Sequence, residues 1–175
     1  MIPAIQTYLA SNHQKFLTEG RQIRTNLPYI YLLPEGVVPV IRDLKEHPEF
    51  SFLFLNDLTA VDWLDHRSPR FEVLYLLRSP KNKNFLLQIR VPVEEGESVP
   101  SLTGVFVGAN WPEREVYDLF GIPFANHPYL ERIVLPDNFV GHPLRKDYPL
   151  EGPGQDYLIQ DLLQIHLTED LEGES

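Results

Sequence analysis

Glu115 and Asp118 lie three residues apart, with His127 nine positions further on, and these are residue types from which general acid–base catalysis is built. One carboxyl would donate a proton, the other would accept one, and the imidazole would relay it. That division needs one acid held neutral near neutral pH, whereas Arg114, four residues before Asp118, favours the ionised form of both. The spacing therefore argues against catalysis. A free-standing hydrolase using Glu115, Asp118 and His127 remains a competing reading, and it requires a concave pocket around groups of perturbed pKa.

Metal and anion chemistry fare no better. His127 and His142 each precede a proline and could be combined with Asp137 or Asp147 as ligands, but no helix or hairpin sets a ligand spacing. They read as turn histidines. Arg145-Lys146-Asp147 places two cations side by side, yet an acid follows at once, so an ion-pair network at an interface is favoured over an anion site. There is no cysteine, which removes disulfides, thiolate nucleophiles and the usual ligands of iron–sulfur clusters. Any electron transfer would take place in another chain, and no cofactor is expected on this one.

These residues must be positioned by a chain of 175 residues carrying 25 acidic and 15 basic side chains, a formal net charge of −10. A field of that sign repels phosphate backbones, so nucleic acid is not an expected partner. The apolar run at 50–55 falls far short of the ~20 residues of a membrane-spanning helix, so no direct membrane insertion is expected. The N-terminus lacks a cationic region followed by a long apolar stretch, and a cytoplasmic location follows as the default.

The order of elements can be read from periodicity. Ile5, Leu9, Phe16 and Leu17 suggest a helix over 5–20 ending at Gly20. A β-prone run at 30–33 is followed by Pro34-Glu35-Gly36 and a second helical pattern with Val37, Val38, Ile41 and Leu44. Residues 51–64, 71–78 and 85–93 are β-rich, and turn formers at 80–84 predict a hairpin between the last two. An acidic loop at 94–98 precedes a short apolar segment, 102–107, whose state is left open. The predicted fold is α+β: a mostly antiparallel sheet with helices packed on one face, followed by a proline-rich extended C-terminal arm. Its expected divisions are a globular domain over 1–110, a signature helix and docking arm over 111–150, and a tail over 151–175 with a short helix.

The signature helix has clear bounds. Pro112 sits in its first turn, acids lie near its positive end and Gly121 follows it. Val116, Leu119 and Phe120 share one side, and Arg114, Glu115 and Asp118 gather on another, which predicts a helix anchored on one face and charged on the other. Six prolines between Pro123 and Pro153 exclude a long helix or a central strand. A long irregular arm is usually functional or laid against something. Phe124, Tyr129, Phe139 and Tyr148 are its candidate anchors, with Arg132 and Arg145 beside them.

The run Glu113-Arg114-Glu115 with Asp118, then Phe120-Gly121-Ile122, His127-Pro128, Arg132-Ile133 and Gly141-His142-Pro143-Leu144-Arg145-Lys146-Asp147-Tyr148 resembles the 30 kDa-type subunit family of NADH:quinone oxidoreductase, the C subunit of respiratory complex I. The counterpart in plants and cyanobacteria is the J subunit. The diagnostic match spans 111–150, with one departure at Glu131, where the family pattern often has a basic residue.

The resemblance implies a peripheral subunit without catalytic residues, on the cytoplasmic side of an inner or thylakoid-type membrane. It would lie against the large subunit that shares ancestry with nickel–iron hydrogenases, near the quinone site, beside iron–sulfur subunits. FMN or another electron-input module, iron–sulfur clusters, quinone and proton translocation would belong to the assembly. The expected partner interface comprises Glu113, Arg114, Glu115, Asp118, Phe124, His127, Tyr129, Arg132, Phe139, His142, Arg145, Lys146, Asp147 and Tyr148. A related membrane-bound hydrogenase or another quinone-linked dehydrogenase is the alternative host.

Overall fold

Two adjacent β-rich segments, each with every second side chain buried along much of its length, build the centre of the molecule. A computed structural model describes residues 1–20 and 25–150, and contains in chain order α1 (Ile2–Asn12), β1 (Tyr29–Tyr31), α2 (Val37–Glu46), β2 (Phe54–Asp62), β3 (Phe71–Ser79), β4 (Phe85–Val93), β5 (Val99–Pro100), α3 (Asn110–Phe120) and β6 (Phe124–Ala125). Val73, Tyr75 and Leu77 of β3 stand opposite Val91, Ile89 and Leu87 of β4, all fully buried. Each such side chain stabilises the fold by about 1.5–3 kcal/mol. The hairpin predicted at 80–84 joins them through a short helical turn, with Lys83 and Asn84 in the left-handed region.

The sheet order is β1-β4-β3-β2. Two of its three pairings are antiparallel, but β1 runs parallel to β4 with Ile30 opposite Ile89, so the sheet is mixed. Parallel neighbours need a long connection, and the chain between β1 and β4 includes α2 as well as β2 and β3. Strand direction of this kind leaves no mark in a three-residue run. α1 and α2 bring Ile5, Leu9, Val37, Val40, Ile41 and Leu44 into the same core.

The first helix ends at Asn12 instead of continuing to Gly20. His13 leaves the helical region, its ring bonds Asp43 at 2.7 Å, and Leu17 bridges to Leu32 beside the sheet. Phe16 and Leu17 thus serve the sheet margin and not a helix face. The open segment at 102–107 forms a turn whose Leu102, Val105 and Phe106 enter the core, and it leads through a helical turn at Val107–Ala109 into α3. Among the described residues no helix is long and apolar enough to cross a membrane.

Beyond β6, which pairs with β5 in parallel, residues 126–150 contain no helix or strand. They follow an irregular course through turns and bends, as a stretch dense in proline requires. The tail expected at 151–175 and its helix lie outside the described residues.

Candidate functional site

The site is built on α3 and what the arm does to it. Val116 and Phe120 are buried as expected, but Glu113 and Asp118 are buried too, each at 0% exposure. The charged face therefore divides. Glu115 is exposed and Arg114 half-buried, while Asp118 turns towards the arm. The i,i+4 spacing of Arg114 and Asp118 does not produce an ion pair; Arg114 donates to the carbonyls of Glu131 and Arg132 at 3.0 and 3.2 Å.

Asp118 is the hub of the arm. Its Oδ1 accepts from Arg132 Nη1 at 2.7 Å, and its Oδ2 accepts three successive backbone N–H groups, from Ile133, Val134 and Leu135, at 2.9–3.0 Å. Burial pushes its pKa up, yet those backbone donors and Arg132 outweigh burial and hold the carboxyl below its ordinary value. Arg132 also reaches the carbonyl of Gly141 at 3.3 Å.

The last four carbonyls of a helix have no partner within it, and here each finds one. Gly121 N–H donates to Tyr117, His142 Nδ1 to Asp118, Leu144 N–H to Leu119 and Arg145 Nε to Phe120, at 2.6–3.1 Å. The histidine expected to sit in a turn is a helix cap, and burial lowers its pKa. Gly121 permits the close approach. Its φ is +73°, and a Cβ there would lie 2.6 Å from both the His142 ring and Arg145 Nη2.

Further along, the arm is fastened to the sheet. Arg70 binds Asp62 through two nitrogens at 2.8 and 3.0 Å, Asp147 at 2.7 Å and Glu95 at 2.9 Å; Glu95 also takes Arg145 at 2.6 Å, and Lys146 N–H donates to Asp62. The Arg70 guanidinium holds Asp147 below the usual carboxylate range; for Asp62, burial pushes upward but Arg70 and the backbone donors prevail. Residues 145–147 thus enter an ion-pair network made within the chain, whereas the expectation was of one at an interface. The Lys146 side chain is exposed.

Glu113 has no such cation. Ser101 Oγ and Leu102 N–H donate to it at 2.6 and 2.7 Å, His127 Nε2 lies 3.9 Å away, and burial pushes its pKa up to about 7. His127 Nδ1 accepts Tyr129 N–H at 3.0 Å, so Nε2 carries the proton towards the Asn110 carbonyl at 3.3 Å. Among the described residues the buried Tyr75 hydroxyl has no hydrogen-bond partner, and burial together with Glu113 pushes its pKa well up.

Glu115, Asp118 and His127 are thus not brought together: the first is exposed, the second is saturated by the arm, and the third faces Asn110 and Glu113. Among the described residues no group of three or more His, Asp or Glu side chains is placed to hold a metal ion. Of the aromatic anchors, Phe124 is buried, Tyr129 is exposed, and Phe139 stacks on Tyr148 at 6.1 Å. The sequence reading missed Asp62, Arg70, Glu95, Ser101 and Tyr75. Asp62 and Arg70 meet next to the β2–β3 pair, Glu95 and Ser101 reach Arg145 and Glu113 through the fold, and Tyr75 is buried without a hydrogen bond to any described residue; no local period signals such placements.

Residues 30–154 match the family described as respiratory-chain NADH dehydrogenase, 30 Kd subunit. The chain is 52% identical over 122 residues to the C subunit of NADH-quinone oxidoreductase from Roseiflexus sp. (strain RS-1), covering 69% of each. It is 50% identical over 123 residues to the same-named protein of Geotalea uraniireducens, covering 70% of this chain and 73% of the relative. Among solved structures, the trypsin-resistant fragment of Nqo5 is similar at 28% identity with a TM-score of 0.56, over 74% of this chain and 98% of that one. A chain of the membrane-bound sulfane sulfur reductase, an archaeal respiratory membrane complex, shares the fold with a TM-score of 0.68 at 20% identity, over 85% of each.

Proposed function

Since this chain belongs to the respiratory-chain NADH dehydrogenase 30 Kd subunit family, we propose that it is the cofactor-free, peripheral-arm subunit of a proton-translocating NADH:quinone oxidoreductase. It contributes a docking surface and assembly, and no reacting group. Its partners are the hydrogenase-like large subunit and the neighbouring iron–sulfur subunits. The quinone site lies close by, while FMN or another electron-input module and the clusters are held by other chains. The complex places it at the cytoplasmic face of the membrane without inserting it.

The observation that carries this reading is the exposure of large apolar side chains along the arm. Tyr129, Val134, Val140, Leu144 and Leu150 are exposed, although the arm's polar groups are tied to α3 and the sheet. Exposed apolar surface on an arm already fixed in shape suits association with another protein, because little ordering entropy remains to be lost. Within the expected interface, Glu113, Asp118, Phe124 and His127 act by holding the surface in shape, and Arg114, Glu115, Tyr129 and Lys146 act at the surface.

Purification of the tagged chain from its native membranes in mild detergent tests the reading. The expected result is co-purification with the hydrogenase-like and iron–sulfur subunits and NADH:quinone activity in the eluate. Recovery of the chain alone would overturn it, and recovery with hydrogenase subunits instead would move it to a different host complex.

A further inference from the structure

A second apolar surface lies mostly on the body and meets the arm at Tyr129. Val107, at 87% exposure, lines one cleft with Phe54 at the start of β2. The turn at Val107–Ala109 runs into α3, so Trp111, four residues on and 62% exposed, extends the surface. Tyr129 continues it across Arg114, whose guanidinium lies 5.2 Å from the Trp111 ring and 5.1 Å from the Tyr129 ring. At the other end Arg78, opposite Phe54 in the β2–β3 ladder, sits 4.8 Å over that ring.

The two arginines are distinguished by what they lack. Arg70, Arg90, Arg132 and Arg145 form ion pairs with carboxylates at 2.6–2.8 Å, and Arg67 lies 2.7 Å from Glu72, a contact without hydrogen-bond geometry. Among the described residues Arg114 has only backbone carbonyls as hydrogen-bond partners, and Arg78 has no hydrogen bond or ion pair, its Nε being buried without a partner. Arg42, on α2, is the other described arginine without a carboxylate. In a chain of net charge −10, two guanidiniums left without a carboxylate, one at the end of an apolar strip and one within it, are an electrostatic complement to a carboxylate from outside. Stacking on aromatic rings holds them in place beforehand.

We infer that the strip of Phe54, Val107, Trp111 and Tyr129, with Arg78 at its Phe54 end and Arg114 between Trp111 and Tyr129, is a docking face for an apolar polypeptide segment bearing an Asp or Glu carboxylate, supplied by a neighbouring subunit. This rests on the chain being a docked subunit, and it names a contact on the body that shares only Tyr129 with the exposed apolar side chains of the arm. Phosphate backbones and anionic lipid surfaces suit the strip less well, because the remainder of the chain repels both.

A photo-crosslinking benzophenone residue at position 107 of the full chain, activated in native membranes before purification of the complex, reads the occupant directly. The expected product is one peptide of one other subunit, with an acid among apolar residues. Arg78→Glu should lower the crosslink yield about tenfold, Arg78→Gln less, and a lysine replacing the partner's acid should restore it with Arg78→Glu. A crosslink to a second copy, to lipid or to a segment without an acid overturns the inference, as does no crosslink from a chain that still co-purifies; in those cases the proposed function stands. If the chain does not co-purify with other subunits, the proposed function falls and takes this inference with it.

Discussion

Glu113 and Asp118 are fully buried carboxyls of one short helix, five residues apart, and their surroundings drive them in opposite directions. Glu113 is raised from an ordinary value of 4.5 to about 7 by burial, with Ser101 and Leu102 N–H opposing and the His127 ring and Tyr75 hydroxyl nearby. Below about pH 4.5 the folded and unfolded states are both protonated and its contribution is fully present. As pH rises towards 7 the unfolded state ionises first, so the contribution is lost, by about 3 kcal/mol. Between pH 4.5 and 7 the lowered His142 acts in the opposite sense, so the contribution is read by difference: in urea unfolding, Glu113→Gln should lose less stability than the unaltered chain as pH rises, and an equal change with pH would show that Glu113 contributes none of it. Asp118 is depressed, so its contribution is present above its ordinary value of 3.8 and is lost as pH falls through the folded value, which places it in a lower window. Asp118→Asn at neutral pH should cost about 3–5 kcal/mol in the same assay, since an amide faces Arg132 and three backbone donors. The sequence suggested Arg114 as the partner of Asp118 because helical spacing describes only neighbours one turn apart. The true partner, Arg132, is fourteen residues on and is brought there by the fold of the arm.

The arm's irregular course was legible because each proline removes a backbone donor, and the β3–β4 hairpin was legible because turn formers at 80–84 separate two β-rich runs. What the arm lies against was not legible. Its partners are the free carbonyls of α3, a property of any helix end, and nothing in the sequence says which residues will fill them. Gly121 is the point at which this junction can be tested. Its φ of +73° and the 2.6 Å approach of His142 and Arg145 leave no room for a side chain, so Gly121→Ala should displace the cap and loosen the arm with little effect on the sheet. Hydrogen exchange measures the consequence. The amides of Leu144, which donates to Leu119, and of Arg145 and Tyr148 in the following turns should exchange about tenfold faster, matching a local loss of about 1.4 kcal/mol, while the amides of β3 and β4 keep their protection. Equal acceleration in the sheet would mean that the junction supports the whole fold.

At the scale of the whole molecule, the composition changes near residue 110 and suggested a body ending there, with a helix and arm beyond. The core crosses that point. Val99, Leu102, Val105 and Phe106 before it and Val116, Phe120, Ile122 and Phe124 after it belong to one buried cluster, and β5 before it pairs with β6 after it. Composition registers the density of prolines and charges, whereas cooperativity depends on shared buried surface, and the two need not change at the same residue. The expectation is a single unfolding transition for residues on both sides. The chain provides its own probes, since its two tryptophans are Trp63 and Trp111: one follows β2 and the other lies in the first turn of α3. Trp111→Phe leaves a reporter on the sheet, and Trp63→Phe leaves one on the helix. Each variant's fluorescence transition in urea should coincide with its own far-ultraviolet circular dichroism, as one cooperative unit requires. A helix reporter that unfolds at lower urea than the sheet would instead make 110 a physical boundary, with residues 111–150 acquiring their full stability only against another subunit.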